Sequence, residues 1–100
     1  MSIFQRTQHE SSAEYRFFED EGHGWLAVPE NEVHELSIAV SSCSYMDRGS
    51  NATGRRFIYL EEDCDLSTFL RAREATGRPV TYCVIKTEGD SFIRSLPRYK

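Results

Sequence analysis

Residues 57–79 read FIYLEEDCDLSTFLRAREATGRP, and this stretch constrains the fold more than any other part of the chain. Residues 57–60 are an apolar, β-prone run. Glu61, Glu62, Asp63 and Asp65 follow at once, and Leu66, Phe69 and Leu70 then recur at i, i+3 and i+4. That spacing places three apolar side chains on one face of a helix. Carboxylates suit its start, where backbone N–H groups lack partners and the helix dipole is positive. Asp65 or Asp63 is the expected cap, Gly77 suits the left-handed C-terminal position, and Pro79 forbids continuation. Arg71, Arg73 and Glu74 are expected on the solvent side. The segment predicts a strand, a capped helix and an acidic corner between them, but no reaction.

The remaining pattern fills in around it. Residues 15–18 (YRFF) and 25–28 (WLAV) are strand candidates, separated by the turn-forming run Glu19-Asp20-Glu21-Gly22-His23-Gly24, so a hairpin is expected. Pro29 stops the second strand, and Glu30, Glu32 and Glu35 with Val33 and Leu36 predict a short acidic helix. Residues 41–47 alternate in polarity and pair with residues 55–60 as a second hairpin. Residues 80–85 are almost continuously apolar, as for a strand covered on both faces or placed centrally, and residues 91–96 read as a last edge strand. Cys43 and Cys83 fall within strand patterns, where a thiol packs as a small hydrophobe. Residues 1–13 are polar and aperiodic, and are expected to form a flexible arm ahead of a single domain over residues 14–100. The order ββαββαβ predicts an α+β fold: an antiparallel sheet of five to six strands with two helices on one face.

One hundred residues make one core and leave no room for a deep cleft between lobes. No apolar run approaches the ~18 residues of a membrane span, and residues 1–15 lack the apolar region of a signal peptide. Cys43, Cys64 and Cys83 are an odd number, widely spaced, which argues against a disulfide framework and for a reducing compartment. The expectation is a cytoplasmic protein. The net charge of −4 is unevenly spread: residues 1–65 hold 13 acids against 5 Lys/Arg (−8), and residues 66–100 hold 3 against 7 (+4). A chain so acidic overall is a poor candidate for non-specific binding to duplex nucleic acid.

Three cysteines and three histidines invite a metal site, but no C-x-x-C or comparable close pair of ligands exists, and none is expected. Cys64 is a weak nucleophile candidate, because Glu62, Asp63 and Asp65 disfavour its thiolate. His23 sits between two glycines and ahead of the only tryptophan, Trp25; it either fills a hairpin turn or offers an acid/base group. With no accompanying nucleophile and no phosphate-cradling loop, neither an enzyme nor a cofactor is expected. The acids remain. Glu19, Asp20 and Glu21, the helix acids Glu30, Glu32 and Glu35, and Glu61, Glu62, Asp63 and Asp65 could form one negative surface for a basic partner. His23 and Trp25 would add an aromatic anchor. A second reading is a nucleic-acid-binding regulator using Arg55, Arg56, Arg71, Arg73, Arg78 and the basic tail of residues 98–100, and a third is a small hydrolase built on His23. A homodimer formed through an edge strand is compatible with each.

Four fragments, FFEDEGHGWLAVP (17–29), SYM (44–46), YLEEDCDLSTFL (59–70) and DSFIRSLPRY (90–99), together resemble a family of small proteins encoded by bacteriophages, plasmids and integrated elements. The resemblance spans most of the chain beyond residue 14, and the YLEEDCD run is its most specific part. Glycine is common in that family where this chain has Ser37. The resemblance transfers no functional residues. It implies a setting, the host bacterial cytoplasm, where small phage-borne proteins without enzyme motifs commonly work by binding and disabling host machinery, including CRISPR effector complexes. The resulting expectation is an anti-defence inhibitor of a host protein complex, working through the acidic surface without direct contact to nucleic acid or membrane.

Overall fold

A computed structural model describes residues 4–7, 13–49 and 54–99. Its strands are β1 (Phe4–Arg6), β2 (Tyr15–Glu19), β3 (Gly24–Pro29), β4 (Tyr45–Asp47), β5 (Phe57–Glu61) and β6 (Val80–Lys86). Helix α1 (Glu30–Glu35) joins β3 to β4, and α2 (Leu66–Thr76) joins β5 to β6. All six strands form one sheet in the order β1-β6-β2-β3-β5-β4. The fold is α+β, as the pattern of elements predicts.

The sheet is mixed, however. β2, β3, β5 and β4 pair antiparallel, while β6 lies parallel to both β2 and β1. The reason was present in the element order. A helix between two strands of one sheet carries the chain back to its starting end, so β6 must run in the direction of β5. β2 and β5 are both antiparallel to β3, which makes β6 parallel to β2 as well. β6 lies inside the sheet, flanked by β1 and β2, but it is not covered on both faces: of its residues only Val80 and Cys83 are buried.

Part of the N-terminal arm is also corrected. Phe4–Arg6 adds an edge strand in register with Val80, Thr81 and Tyr82, while residues 1–3 and 8–12 of the expected arm lie outside the described residues.

Alternation along the strands sends two different cores to the two faces. Tyr15, Phe17, Leu26, Val28, Ile58, Leu60 and Val80 meet Val33 of α1 and Leu66 and Phe69 of α2, so both helices cover the same face. The other face carries Trp25, Ala27, Tyr45 and Tyr59, capped by Ile93. Residues 91–96 are therefore not an edge strand. Phe92–Ser95 forms a 3-10 turn whose start is capped by Ser91, the hydroxyl of which accepts from the Ile93 N–H at 3.4 Å. Ile93 and Leu96, three apart, suit one side of such a turn better than they suit strand alternation.

Helix α1 ends in a Schellman arrangement: Ser37 N–H donates to His34 O at 3.0 Å and Ile38 N–H to Val33 O at 3.2 Å. Ser37 takes up the left-handed conformation (φ 55°), and is the one non-glycine residue among those described to do so. A side chain there costs energy that glycine avoids. Ser37→Gly is expected to stabilise the domain by about 0.5–1 kcal/mol, read as a rise in the urea midpoint without a change in slope.

Candidate functional site

Two turns that are far apart in sequence meet at one corner of the sheet. The β2–β3 hairpin turn (residues 20–23) and the β5–α2 junction (residues 62–65) are joined where Glu62 N–H donates to Gly24 O at 2.9 Å, extending the β3–β5 ladder. Glu61, at the end of β5, points to the face opposite the helices and is 8% exposed. One of its carboxylate oxygens contacts His23 Nδ1 at 3.2 Å, and the other accepts from the Asp63 N–H at 2.8 Å.

The acids near this corner divide by role. Asp20 is buried. It accepts from the Gly22 and His23 N–H groups at 3.0 Å, closing the hairpin turn, and from Ser91 N–H at 3.0 Å. Arg94 adds Nε at 2.7 Å and Nη2 at 3.0 Å, a two-pronged charged contact. The guanidinium holds the Asp20 carboxyl far below the usual carboxylate range, with help from the three backbone donors and against the opposing effect of burial. Asp65 is buried too. It does not cap α2 with its side chain but accepts from Ser41 N–H at 3.1 Å, Ser41 Oγ at 2.9 Å and Ser44 Oγ at 2.5 Å. Asp20 and Asp65 therefore hold the structure together and are not offered to a partner. Trp25 is 1% exposed, packed edge-on to Tyr45 and beneath Arg94, so it is not a surface anchor. The exposed ring at the hairpin belongs to His23, which stacks at a tilt on Trp25.

What remains on the outside is Glu19, Glu21, Glu62 and Asp63. Glu19 is partly exposed and lies 3.8 Å from the flexible Lys86 ammonium. Among the described residues, no lysine or arginine pairs with Glu21, Glu62 or Asp63. The Glu62 carboxyl is pushed above its ordinary range by partial desolvation and by the charges of Asp63, Glu19 and Glu61, with His23 pulling the other way. A raised carboxyl means that charge is held there at some cost to the folded state. Glu30 and Glu32 of α1 do not join this group: Glu32 binds Arg73 and Glu30 faces Arg56 at 3.6 Å.

Among the described residues, His23, Glu61 and Asp63 also form the one trio whose ligand atoms lie within 4.8 Å of one another, a donor set suited to a divalent cation. Sequence spacing could not find it, because His23 is 38 residues from Glu61. Both Glu61 oxygens already have partners within the protein, so the trio is satisfied without an ion. As an acid/base group, His23 would be oriented by Glu61, but its described polar contact is with a carboxylate, not with a nucleophile.

The arginines proposed for nucleic acid are scattered. Arg73 is 2% exposed, where the sequence reading put it on the solvent side. Its Nη1 donates to Glu32 at 2.7 Å and to the Tyr15 hydroxyl, which in turn donates to Glu32; its Nη2 reaches Glu14 at 3.2 Å and Pro79 O at 2.9 Å. Arg55 lies over Phe57 and Arg98 over Tyr45, while Arg71 and Arg78 are exposed at separate points of α2 and its exit.

Beyond the 3-10 turn, the same sheet face opens into a depression of about 830 Å³ lined by Arg16, Phe18, Asp47, Phe57, Tyr59 and Phe92. Phe92, 50% exposed, packs edge-on against Phe18 and Tyr59 there. Burial pushes the Tyr59 hydroxyl up to about 12, with Asp47 adding to the effect, so the lining keeps neutral phenol at any physiological pH.

No helix among the described residues is long and apolar enough to cross a membrane. No family model, curated protein or solved structure matches this chain.

Proposed function

We propose that this protein acts by binding another protein, with the corner formed by Glu19, Glu21, Glu62 and Asp63 docking on a basic surface and His23 beside it as the exposed ring. The observation that carries the reading is the convergence of acids from two distant turns, with no arginine or lysine among the described residues paired to Glu21, Glu62 or Asp63. Proteins commonly retain a locally costly arrangement where a partner relieves the cost on binding. Charge complementarity of this kind speeds encounter and selects partners.

In its narrower form, the partner is a host complex such as a CRISPR effector, whose nucleic-acid-binding grooves are basic, and the outcome is inhibition. That form rests on the resemblance to phage- and plasmid-borne proteins and on the charge of the corner. The nucleic-acid reading is weaker, because Arg73 is committed to a buried network and the other arginines share no single face.

The test uses Glu62→Lys with Asp63→Lys. Glu61 is left in place, because its buried carboxylate holds His23 and the turn. Capture from lysate of the bacterial host should fall, with association slowed roughly tenfold or more. Raising salt from ~0.1 M to ~1 M, which shortens the screening length from about 10 to about 3 Å, should weaken wild-type capture much more than that of the variant. Thermal stability of the variant should match or exceed wild type, because the raised Glu62 carboxyl marks a charge that the fold does not need. Equal capture by both proteins at all salt concentrations contradicts the reading.

A further inference from the structure

Three buried carboxylates near this end of the sheet differ in how fully their neighbours supply them. Asp20 takes five donors, two of them from Arg94, and Asp65 takes the Ser41 N–H and the hydroxyls of Ser41 and Ser44. Glu61 takes least. Its side chain is 10% exposed, yet it receives one backbone N–H, from Asp63, and faces His23 Nδ1. Among the described residues no lysine or arginine pairs with it. An ionised carboxylate has about four acceptor sites. Charges buried this far are paired or bind a metal.

The His23 contact is itself informative. Nδ1 and Glu61 Oε1 are 3.2 Å apart, longer than the roughly 2.7–2.9 Å of a charge-assisted N–H···O bond. It is satisfied without an ion only when Nδ1 carries a ring proton; in the other tautomer two lone pairs face each other and need a cation between them. An ion about 2.1 Å from both atoms would subtend about 100°, between the octahedral and tetrahedral angles. Asp63 supplies the third donor, all three ligand atoms lying within 4.8 Å of one another, and a small turn of its exposed carboxylate completes the set. The ligands are held from behind. The His23 N–H is fixed by Asp20, and the second Glu61 oxygen by the Asp63 N–H.

We propose that His23, Glu61 and Asp63 bind one divalent transition cation of the zinc or manganese type. One imidazole with two carboxylates suits such borderline ions better than magnesium or calcium, which favour all-oxygen sites. The ion's two positive charges offset those of Glu61 and Asp63, and its remaining coordination positions stay open to solvent on the exposed side of His23. The inference stands on the trio and on the poorly supplied Glu61 carboxylate, and does not require a protein partner.

The test uses the metals alone. Zinc chloride titrated calorimetrically into the reduced wild-type protein should bind at one equivalent, undisturbed by a tenfold excess of magnesium. His23→Ala and Asp63→Asn should each weaken binding at least about tenfold, since even loss of a residue that only supports a ligand costs about that much. Glu61 is left in place because it holds the turn. Replacing both Cys43 and Cys64 by serine should leave the affinity unchanged, which separates this site from zinc held by thiols. Substoichiometric manganese chloride added to the wild type should broaden the amide signals of His23, Glu61 and Asp63 first, and this map decides the matter even where a variant folds poorly. Absence of saturable binding, unchanged affinity in His23→Ala, loss of binding in the cysteine variant, or broadening spread evenly over Glu19, Glu21 and Glu62 would each overturn the proposal. Any of these results leaves the docking reading standing, because no captured partner enters the measurement.

Discussion

Replacing Arg73 with methionine is expected to destabilise the domain by about 3–5 kcal/mol, the usual cost of removing one partner from a buried ion pair. The guanidinium is the joint at which α2 meets α1, β2 and the start of β6. It donates to Glu32 on α1, to the Tyr15 hydroxyl on β2, to Glu14 and to the carbonyl of Pro79. Removing it leaves the Glu32 carboxylate and the Tyr15 hydroxyl facing each other and an unpaired carbonyl beneath the helix. The rings of Tyr15 and Phe69, which meet edge to face, also lose the cation beside them. For a domain of this size, each kcal/mol shifts the melting temperature by roughly 4–8 °C, so the variant is expected to be largely unfolded near 50 °C if wild type melts at about 60 °C. The damage comes from the stranded partner, so Glu32→Gln combined with Arg73→Met should recover part of the loss. Urea unfolding of the two single variants and the double variant measures both effects.

Asp20→Asn is expected to cost about 3 kcal/mol or more at neutral pH and to flatten the acid limb of the stability profile. Five donors converge on this buried carboxylate and tie the hairpin turn to the C-terminal 3-10 turn. Its pKa in the folded protein lies well below that of the unfolded chain, chiefly because of Arg94. The contribution is therefore complete above the unfolded value of about 4 and is lost progressively as pH falls below it towards the folded value. Wild type should lose stability steeply below pH ~4, and the difference between wild type and Asp20→Asn should shrink over the same interval. Urea midpoints measured from neutral pH down to pH ~2 provide the check; a gap that stays constant with pH would show that Asp20 does not act through its charge.

These two residues also mark where the sequence was legible. The strand and helix positions followed from periodicity, because alternation and the i, i+3, i+4 stripe are properties of local geometry. Arg73 lies on the buried side, not the solvent side: it stands at i+7 from Leu66 and so continues the stripe of buried Leu66 and Phe69 and partly buried Leu70. Helical position outweighs residue type here, because the charge is met by Glu32 and Glu14. The parallel placement of β6 was equally readable from β5-α2-β6, since a helical crossover returns the chain to the same end of the sheet.

The site was less legible, for a physical reason. Which acids are free depends on which donors reach them across the fold. Asp20 and Asp65 look no different from Glu62 and Asp63 in the sequence, yet Arg94, Ser91, Ser41 and Ser44 arrive from distant segments to bury the first two. Trp25 read as an anchor because it adjoins the turn, but strand parity sends it into the second core.

The central claim we propose is that a surface of carboxylates, of which Glu21, Glu62 and Asp63 pair with no lysine or arginine among the described residues, carries the function, and not a reactive centre. It is tested most directly by pairing capture from host lysate with thermal melting for wild type and for the Glu62→Lys, Asp63→Lys protein. The account predicts that the variant loses its captured partner while melting at or above the wild-type temperature. A variant that still captures the same partner to the same extent, at low and high salt alike, would contradict it.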